Sequence, residues 1–311
     1  MSTVLLCPGQ GSQKVGMGRD LAERFPAARA VFAAVDEALG ASLSRTMWEG
    51  PEEELTLTQN AQPAILAHTC AVLAVVKDRL QPAIAMGHSL GEYSAWVAAG
   101  AVGATDAARL VRRRGELMQE AGARRAGAMA AILMLDAVKV QAACRAASVE
   151  GEVAVAANLN SPDQTVIAGD PAAVQRAGEL CRAEGAKRVV PLKVSGAFHS
   201  PLMQPARAGL EAALAEASFA APRLPVIANA TAAPVREPAE AVRLLGEQLT
   251  APVRWVESVR RAAAEAPGAT FVEAGPGAVL AGLVKQIVPD AATITLGTAD
   301  EVSAFLDRPA R

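Results

Sequence analysis

Histidine is scarce: three occur in 311 residues. The four cysteines, Cys7, Cys70, Cys144 and Cys181, are widely scattered, with no CxxC pair. That spacing argues against a disulfide framework or a zinc site and predicts reduced, buried thiols. A metal centre would have to be built largely from carboxylates, and none is expected. Net charge is also small, at −2 from 30 basic and 32 acidic residues of mixed order. Such a balance gives no reason to expect a nucleic-acid or membrane-surface partner. The start, "MSTVLLCPGQ", lacks the basic residues of a signal peptide. No stretch approaches the ~18 apolar residues of a membrane span, so a cytoplasmic protein is expected. Aromatics make up only 3% of the chain while 51% is hydrophobic, so alanine, valine and leucine must fill the core.

The length suits one large domain carrying an inserted one. Val4 to Cys7 reads as a buried strand, followed by the loop "PGQGSQ". Helical patterning covers Asp20 to Leu39 and Thr58 to Leu80. After Pro82 comes a short apolar strand, "AIAM", then "GHSLG" at 87–91, then helix-forming "EYSAWVAAG", which stops at Gly100. The middle of the chain has another rhythm. Strand "AMAAILML", helix Asp136 to Ala147, strands "VAVAAN" and "QTVIAG" joined through "LNSPD", helix Asp170 to Glu184 and strand "KRVVPLKV" follow in turn. That β-α-β-β-α-β order predicts a ferredoxin-like domain over residues 127–194. Beyond it lie helix 201–217, strand "PVIAN", helices 237–249 and 253–266, strand "TFVEA", helix 277–287 and strand "TITLG". Residues 1–126 and 195–311 should therefore form an α/β domain around a mostly parallel sheet covered on both faces.

Within "GHSLG", Ser89 has the strand, glycine turn and helix that a nucleophile elbow needs. A serine hydroxyl also needs a base. His68 lies in an apolar helix and reads as core; His88 adjoins the serine on a turn where neighbours point apart. His199 precedes a helix start, with Ser200 as N-cap and Pro201 at the first helical position. The acids between Ser89 and His199 that merit consideration, Asp136, Asp163 and Asp170, fall in the inserted domain. A free carbonyl at the helix end near Gln248 is the alternative orienter. The N–H of Leu90 and that of Gln10, in the glycine-bracketed "GQG", can face an oxyanion. Neither "GQGSQK" nor "GPGAVLAG" meets the spacing of a phosphate-binding loop. In "RLVRRRGELMQEA", Arg114 shares the helix face of Leu110, Val111, Leu117 and Met118. An internal salt bridge and a substrate carboxylate are both open as its anion.

Together these residues resemble the malonyl-coenzyme A:acyl carrier protein transacylases of fatty-acid synthesis, to which the acyltransferase domains of polyketide synthases are related. The resemblance spans almost the whole chain. It rests on "PGQGSQ" (8–13), "TQNAQPA" (58–64), "GHSLGEYSA" (87–95) and "RRGELMQEA" (113–121), and continues through "NLNSPDQTVIAG" (158–169), "GAFHSPLM" (196–203), "QLTAPVRW" (248–255) and "EAGPGAVLAGL" (273–283). It implies an α/β-hydrolase-like large domain with the ferredoxin-like insertion. It makes Ser89 the acylated nucleophile, His199 its base, and the main-chain carbonyl of Gln248 the orienter of that base. Gln10 and Leu90 become the oxyanion hole and Arg114 the clamp for a malonyl carboxylate. Asn158 and Asn160 match positions beside the pantetheine arm, and Phe198 is similar to malonyl-selective relatives. Cys7 departs from the phenylalanine often found there. The implied substrates are malonyl-CoA and the holo acyl carrier protein, with CoA released, no bound cofactor, and a monomer expected. Alternatives are a free-standing polyketide acyltransferase, the transacylase subunit of a malonate decarboxylase, and a thioester hydrolase. Only the carbonyl of Gln248 is implied to act, so Gln248→Ala is expected to lose much less activity than His199→Ala.

Overall fold

The computed structural model describes residues 2–308. In chain order the strands are β1 (Thr3–Cys7), β2 (Ile84–Gly87), β3 (Ala128–Leu133), β4 (Ala154–Ser161), β5 (Gln164–Gly169), β6 (Arg188–Pro191), β7 (Val226–Ile227), β8 (Pro234–Val235), β9 (Thr270–Ala274) and β10 (Thr293–Leu296). They form a mostly parallel sheet, β10-β9-β1-β2-β7-β8, in which only the β7–β8 pair is antiparallel. The second sheet, β4-β5-β3-β6, is antiparallel throughout. The protein is thus a mixed α/β structure.

The continuous apolar reading of β1 follows from burial on both faces. Val4 and Leu6 enter one core with Trp255 and Val284, while Leu5 and Cys7 enter another with Phe32 and Val72. In the antiparallel sheet, Ile132 and Ile167 pack beneath helices Ala137–Ala147 and Pro171–Ala183. Its other face sends Met129, Val166 and Ala168 into the larger core. All four cysteines are free and buried. His68 is core, as its helix suggests: Nε2–H donates to the Gly297 carbonyl at 3.0 Å, and burial lowers the ring to about 4. No helix among the described residues is long and apolar enough to cross a membrane.

Several element boundaries differ from the sequence reading. The helical stretch 20–39 is two helices, Arg19–Arg24 and Pro26–Leu39, because Phe25 is extended ahead of a proline that cannot donate. The next helix ends at Val76, not Leu80. β4 runs through Leu159, Asn160 and Ser161, so most of the expected "LNSPD" connector is strand. "PVIAN" contributes only Val226–Ile227. Helices Leu43–Glu49, Glu52–Thr56 and Ala299–Leu306 and strand β8 were not apparent from periodicity, being eight residues or fewer.

Two features of this architecture position the site. β1, β2 and β7 are adjacent and parallel, so the segments leaving their C-terminal ends share one edge of the sheet. Those segments carry Gln10, Ser89 and Asn229. Helix Ala104–Arg124 also presses directly on helix Thr58–Val76, because Gly115 has no Cβ. One built there would stand 2.6 Å from Gln59 Cα and 2.8 Å from the Thr58 carbonyl oxygen. Both neighbours are backbone, which cannot swing aside. Gly115→Ala should therefore force the helices apart and cost about 1–3 kcal/mol, the usual scale of overpacking. Thermal or urea denaturation measures this, and an unchanged midpoint would disprove the contact.

Candidate active site

Ser89 sits where β2 turns into helix Gly91–Ala98, in the left-handed region at φ 52. Its two glycines are steric necessities. A Cβ on Gly87 would lie 2.0 Å from the Gly91 carbonyl carbon, and one on Gly91 would lie 2.1 Å from the Cys7 carbonyl oxygen. The turn is held from both sides. Ser89 N–H donates to Asn229 Oδ1 at 2.7 Å, and its carbonyl accepts from Gln248 Nε2 at 2.9 Å.

His199 also lies at positive φ, 56, and is 4% exposed. Ser200 fixes the chain after it, accepting from Leu202 N–H at 3.2 Å and donating to the Ala197 carbonyl at 2.6 Å, with Pro201 opening a short 3₁₀ turn. Nδ1 of His199 faces the carbonyls of Gln248 at 2.9 Å and Ala251 at 3.2 Å. Both are acceptors, so Nδ1 carries the hydrogen and the lone pair of Nε2 faces Ser89 Oγ at 2.7 Å. Burial, then the Arg114 cation, push the ring down to about 3, although the Gln248 carbonyl bond opposes them. The ring is therefore a neutral acceptor for the serine proton.

Arg114 is 1% exposed. Nη1 donates to Gln62 Oε1 at 2.7 Å, and Nη2 to Gln248 Oε1 at 3.0 Å and Ser89 Oγ at 3.2 Å. The Tyr93 ring lies against it, centroid to Cζ 5.7 Å. Nε is buried without a partner, and among the described residues no carboxylate pairs with the guanidinium. An internal salt bridge is not what holds it. Two amide oxygens solvate the cation without neutralising it.

A cavity of about 970 Å³ opens onto Ser89 and His199, lined also by Gln10, Met118, Met129, Asn158 and Phe198. Leu90 begins the following helix, and among the described residues neither its N–H nor that of Gln10 is taken. The Gln10 side chain donates to Thr58 Oγ1 at 3.3 Å. Asn158 reaches the cavity because β4 is tied to residue 253: Val253 N–H donates to the Ala157 carbonyl at 2.8 Å and Leu159 N–H to the Val253 carbonyl at 2.9 Å. Asn160 differs from expectation. It does not line the cavity but bonds His88 Nε2 at 2.8 Å and Gln164 Oε1 at 2.9 Å. Strand alternation would put residues 158 and 160 on one face, but β4 is irregular between Leu159 and Ser161.

Sequence reasoning missed Gln62, Glu92, Tyr93 and Asn229. Glu92 is fully buried, and burial raises its carboxyl to about 7 against the pull of the Asn229 N–H and the Gln248 amide. An acid in a first helical turn is ordinary on a surface, so nothing in the sequence marks this one as buried.

The chain is similar to known proteins over most of its length. The pattern of the family described as "Acyl transferase domain" matches residues 4–301. A malonyl CoA-acyl carrier protein transacylase of Bacillus subtilis (strain 168) is 48% identical over 283 residues, covering 91% of this chain and 89% of that protein. An acyl carrier protein S-malonyltransferase from Vibrio cholerae superposes with TM-score 0.93 at 42% identity, covering 98% of this chain and 99% of the other. A malonyl-transacylase in complex with its type II PKS acyl-carrier protein gives TM-score 0.94 at 40% identity, with 99% of each chain covered.

Gln248 requires a correction to the sequence reading. Its side chain is 1% exposed and bridges Arg114, the Ser89 carbonyl and Glu92, the last at 2.8 Å from Nε2. Gln248→Ala should thus be damaging even though the carbonyl toward His199 remains. Buried groups left unpaired cost about 1–3 kcal/mol each. The expected result is a clear fall in melting temperature together with weakened acylation of Ser89. Wild-type behaviour in both measurements would restore the view that only the backbone matters.

Proposed function

Because this chain belongs to the acyl transferase family, we propose that it moves a malonyl group from malonyl-CoA to the phosphopantetheine thiol of an acyl carrier protein, through a malonyl ester on Ser89. The observation that carries the reading is Arg114: a buried cation, 3.2 Å from Ser89 Oγ, with no carboxylate partner among the described residues. A site so built accepts an acyl group that brings its own carboxylate. Guanidinium and carboxylate suit one another in charge and in bidentate geometry. The names of the relatives in Bacillus subtilis and Vibrio cholerae agree with this substrate, and the neighbour bound to a carrier protein supports a carrier as acceptor.

The reaction is ping-pong. His199 Nε2 takes the Ser89 proton as Oγ attacks the thioester carbonyl, while Nδ1–H stays on the Gln248 carbonyl. The negative charge that develops on the carbonyl oxygen is met by the N–H groups of Leu90 and Gln10. Collapse expels the CoA thiolate, which takes the proton back from His199. In the second half the carrier thiol gives its proton to His199, attacks the malonyl ester, and returns Ser89 protonated. Phe198 and Asn158 border the acyl and pantetheine portions of the cavity. Asn160 contributes by bonding His88 and Gln164.

The same proposal takes residues 1–126 and 195–311 as a discontinuous, α/β-hydrolase-like catalytic domain and residues 127–194 as a ferredoxin-like one. The strand order β4-β5-β3-β6 supports the second description. Its setting is a cytoplasmic monomer supplying fatty-acid synthesis. Polyketide synthesis is the competing pathway, favoured by the carrier in the neighbouring complex.

Two experiments test the reading. Brief incubation with malonyl-CoA should raise the intact mass of the protein by one malonyl group and leave Ser89→Ala unmodified; an adduct on the alanine variant would refute the nucleophile. The second concerns donor choice. Removing one member of a desolvated charge pair costs about 3–5 kcal/mol, or roughly two to four decades of rate. Arg114→Ala should lose that much malonyl transfer and spare the slow acetyl transfer, so the two donors converge. Equal proportional losses would mean that Arg114 is merely structural.

A further inference from the structure

We propose that Glu92 is a positioning residue for donor selection: one of its carboxylate oxygens fixes both the Ser89 turn and the amide that aims Arg114. The inference rests on the proposed roles of Ser89 as nucleophile and Arg114 as carboxylate clamp.

Glu92 lies three residues past Ser89, in the first turn of helix Gly91–Ala98, with no exposed surface. Acids are almost never fully buried without partners. Its partners here are two N–H donors on one oxygen: Oε2 accepts from Asn229 N–H at 2.9 Å and from Gln248 Nε2 at 2.8 Å. Each leads to a different part of the site. Asn229 brackets the elbow, taking the Ser89 N–H on Oδ1 and donating from Nδ2 to the Gly87 carbonyl, both at 2.7 Å. Gln248 donates its other N–H to the Ser89 carbonyl at 2.9 Å, which leaves Oε1 for Arg114 Nη2 at 3.0 Å.

The chemistry of the groups makes this arrangement directional. Oε2 accepts whether Glu92 is ionised or carries a proton on its unpartnered Oε1, while an amide has a donor end and an acceptor end. Glu92, seconded by the Ser89 carbonyl, therefore dictates which end of Gln248 faces inward. A reversed amide would set its oxygen against the carboxylate and its N–H₂ against the guanidinium. The acid is thus coupled to the cation through one intervening amide and does not occupy the face of Arg114 that meets Ser89. Two N–H donors from different segments meet on this one oxygen, which makes Glu92 the fixed point of the chain.

The test is single-turnover ester formation on Ser89 with malonyl-CoA and with acetyl-CoA, followed by intact mass. Glu92→Ala removes the shared oxygen. Its malonyl-over-acetyl ratio should fall about 10- to 100-fold, the scale of buried donors left without their acceptor. Glu92→Gln keeps an oxygen able to accept both N–H groups and should return the ratio to within about threefold of wild type. Glu92→Asp keeps the charge but loses one methylene of reach, and should resemble Glu92→Ala. Should the alanine variant not fold, the Asp and Gln variants give the same contrast. A merely structural acid would depress both donors together, in step with melting temperature. An unchanged ratio in the Ala and Asp variants, or a Gln variant as impaired as they are, overturns the role. If wild-type protein forms no malonyl ester on Ser89, the proposed function fails and this inference with it. If the ester forms and the variants keep their ratio, Glu92 alone is misassigned.

Discussion

The rest of the site is arranged around a guanidinium taken out of water with no counter-ion at hydrogen-bonding distance among the described residues. An unpaired buried charge is among the costliest things a fold can carry. Arg114 is held in that state by neutral groups: the amide oxygens of Gln62 and Gln248 and the face of Tyr93. Neutral acceptors stabilise the ion but leave its field intact. Reaching Gln62 requires two helices to meet backbone to backbone, which is why the residue after Arg114 is a glycine. Reaching Gln248 requires helix Pro238–Gln248 to end against the elbow. Packing and charge are thus parts of one requirement.

The same field acts on the base. Arg114 is the second cause, after burial, of the low proton affinity of His199. The imidazole is held neutral with its lone pair on Ser89. A carboxylate drawn onto the guanidinium would offset that influence and raise the basicity of Nε2 as the substrate arrives. A donor without a carboxylate gives no such compensation. On the proposed reading, donor preference would have two physical sources, attraction to Arg114 and the state in which Arg114 leaves His199.

What was legible in the sequence were features that act locally. The elbow could be seen because its glycines are dictated by contacts around one turn. Ser200 and Pro201 announced a helix start, and the free carbonyl near Gln248 followed from where a helix had to stop. The register of Arg114 showed which way it points but not what it meets. Gln62, Asn229 and the side chain of Gln248 stayed hidden because their bonds join residues 52 to 159 positions apart. Periodicity carries no information about such pairs. Asn160 failed for a related reason: two residues along a strand share a face only while the pleat is regular, and β4 is not. The break at Pro26, by contrast, was in plain view, and helical periodicity on both sides masked it.

Backbone strain completes the picture. Among the described residues four non-glycine residues adopt positive φ, and two of them are Ser89 and His199. Such conformations cost of order 1–3 kcal/mol each and last only where the surroundings over-determine them. At Ser89 the peptide is fixed by Asn229 on its N–H and by Gln248 on its carbonyl, and both side chains converge on one oxygen of Glu92. At His199 the ring is fixed by the main chain of Gln248 while Ser200 anchors the next turn. Gln248 therefore serves both strained residues at once, with its backbone on one and its side chain on the other. That double use is what ties the 2.7 Å contact between Ser89 and His199 to the position of Arg114. None of Ser89, His199 and Arg114 can shift without drawing on the same few buried hydrogen bonds.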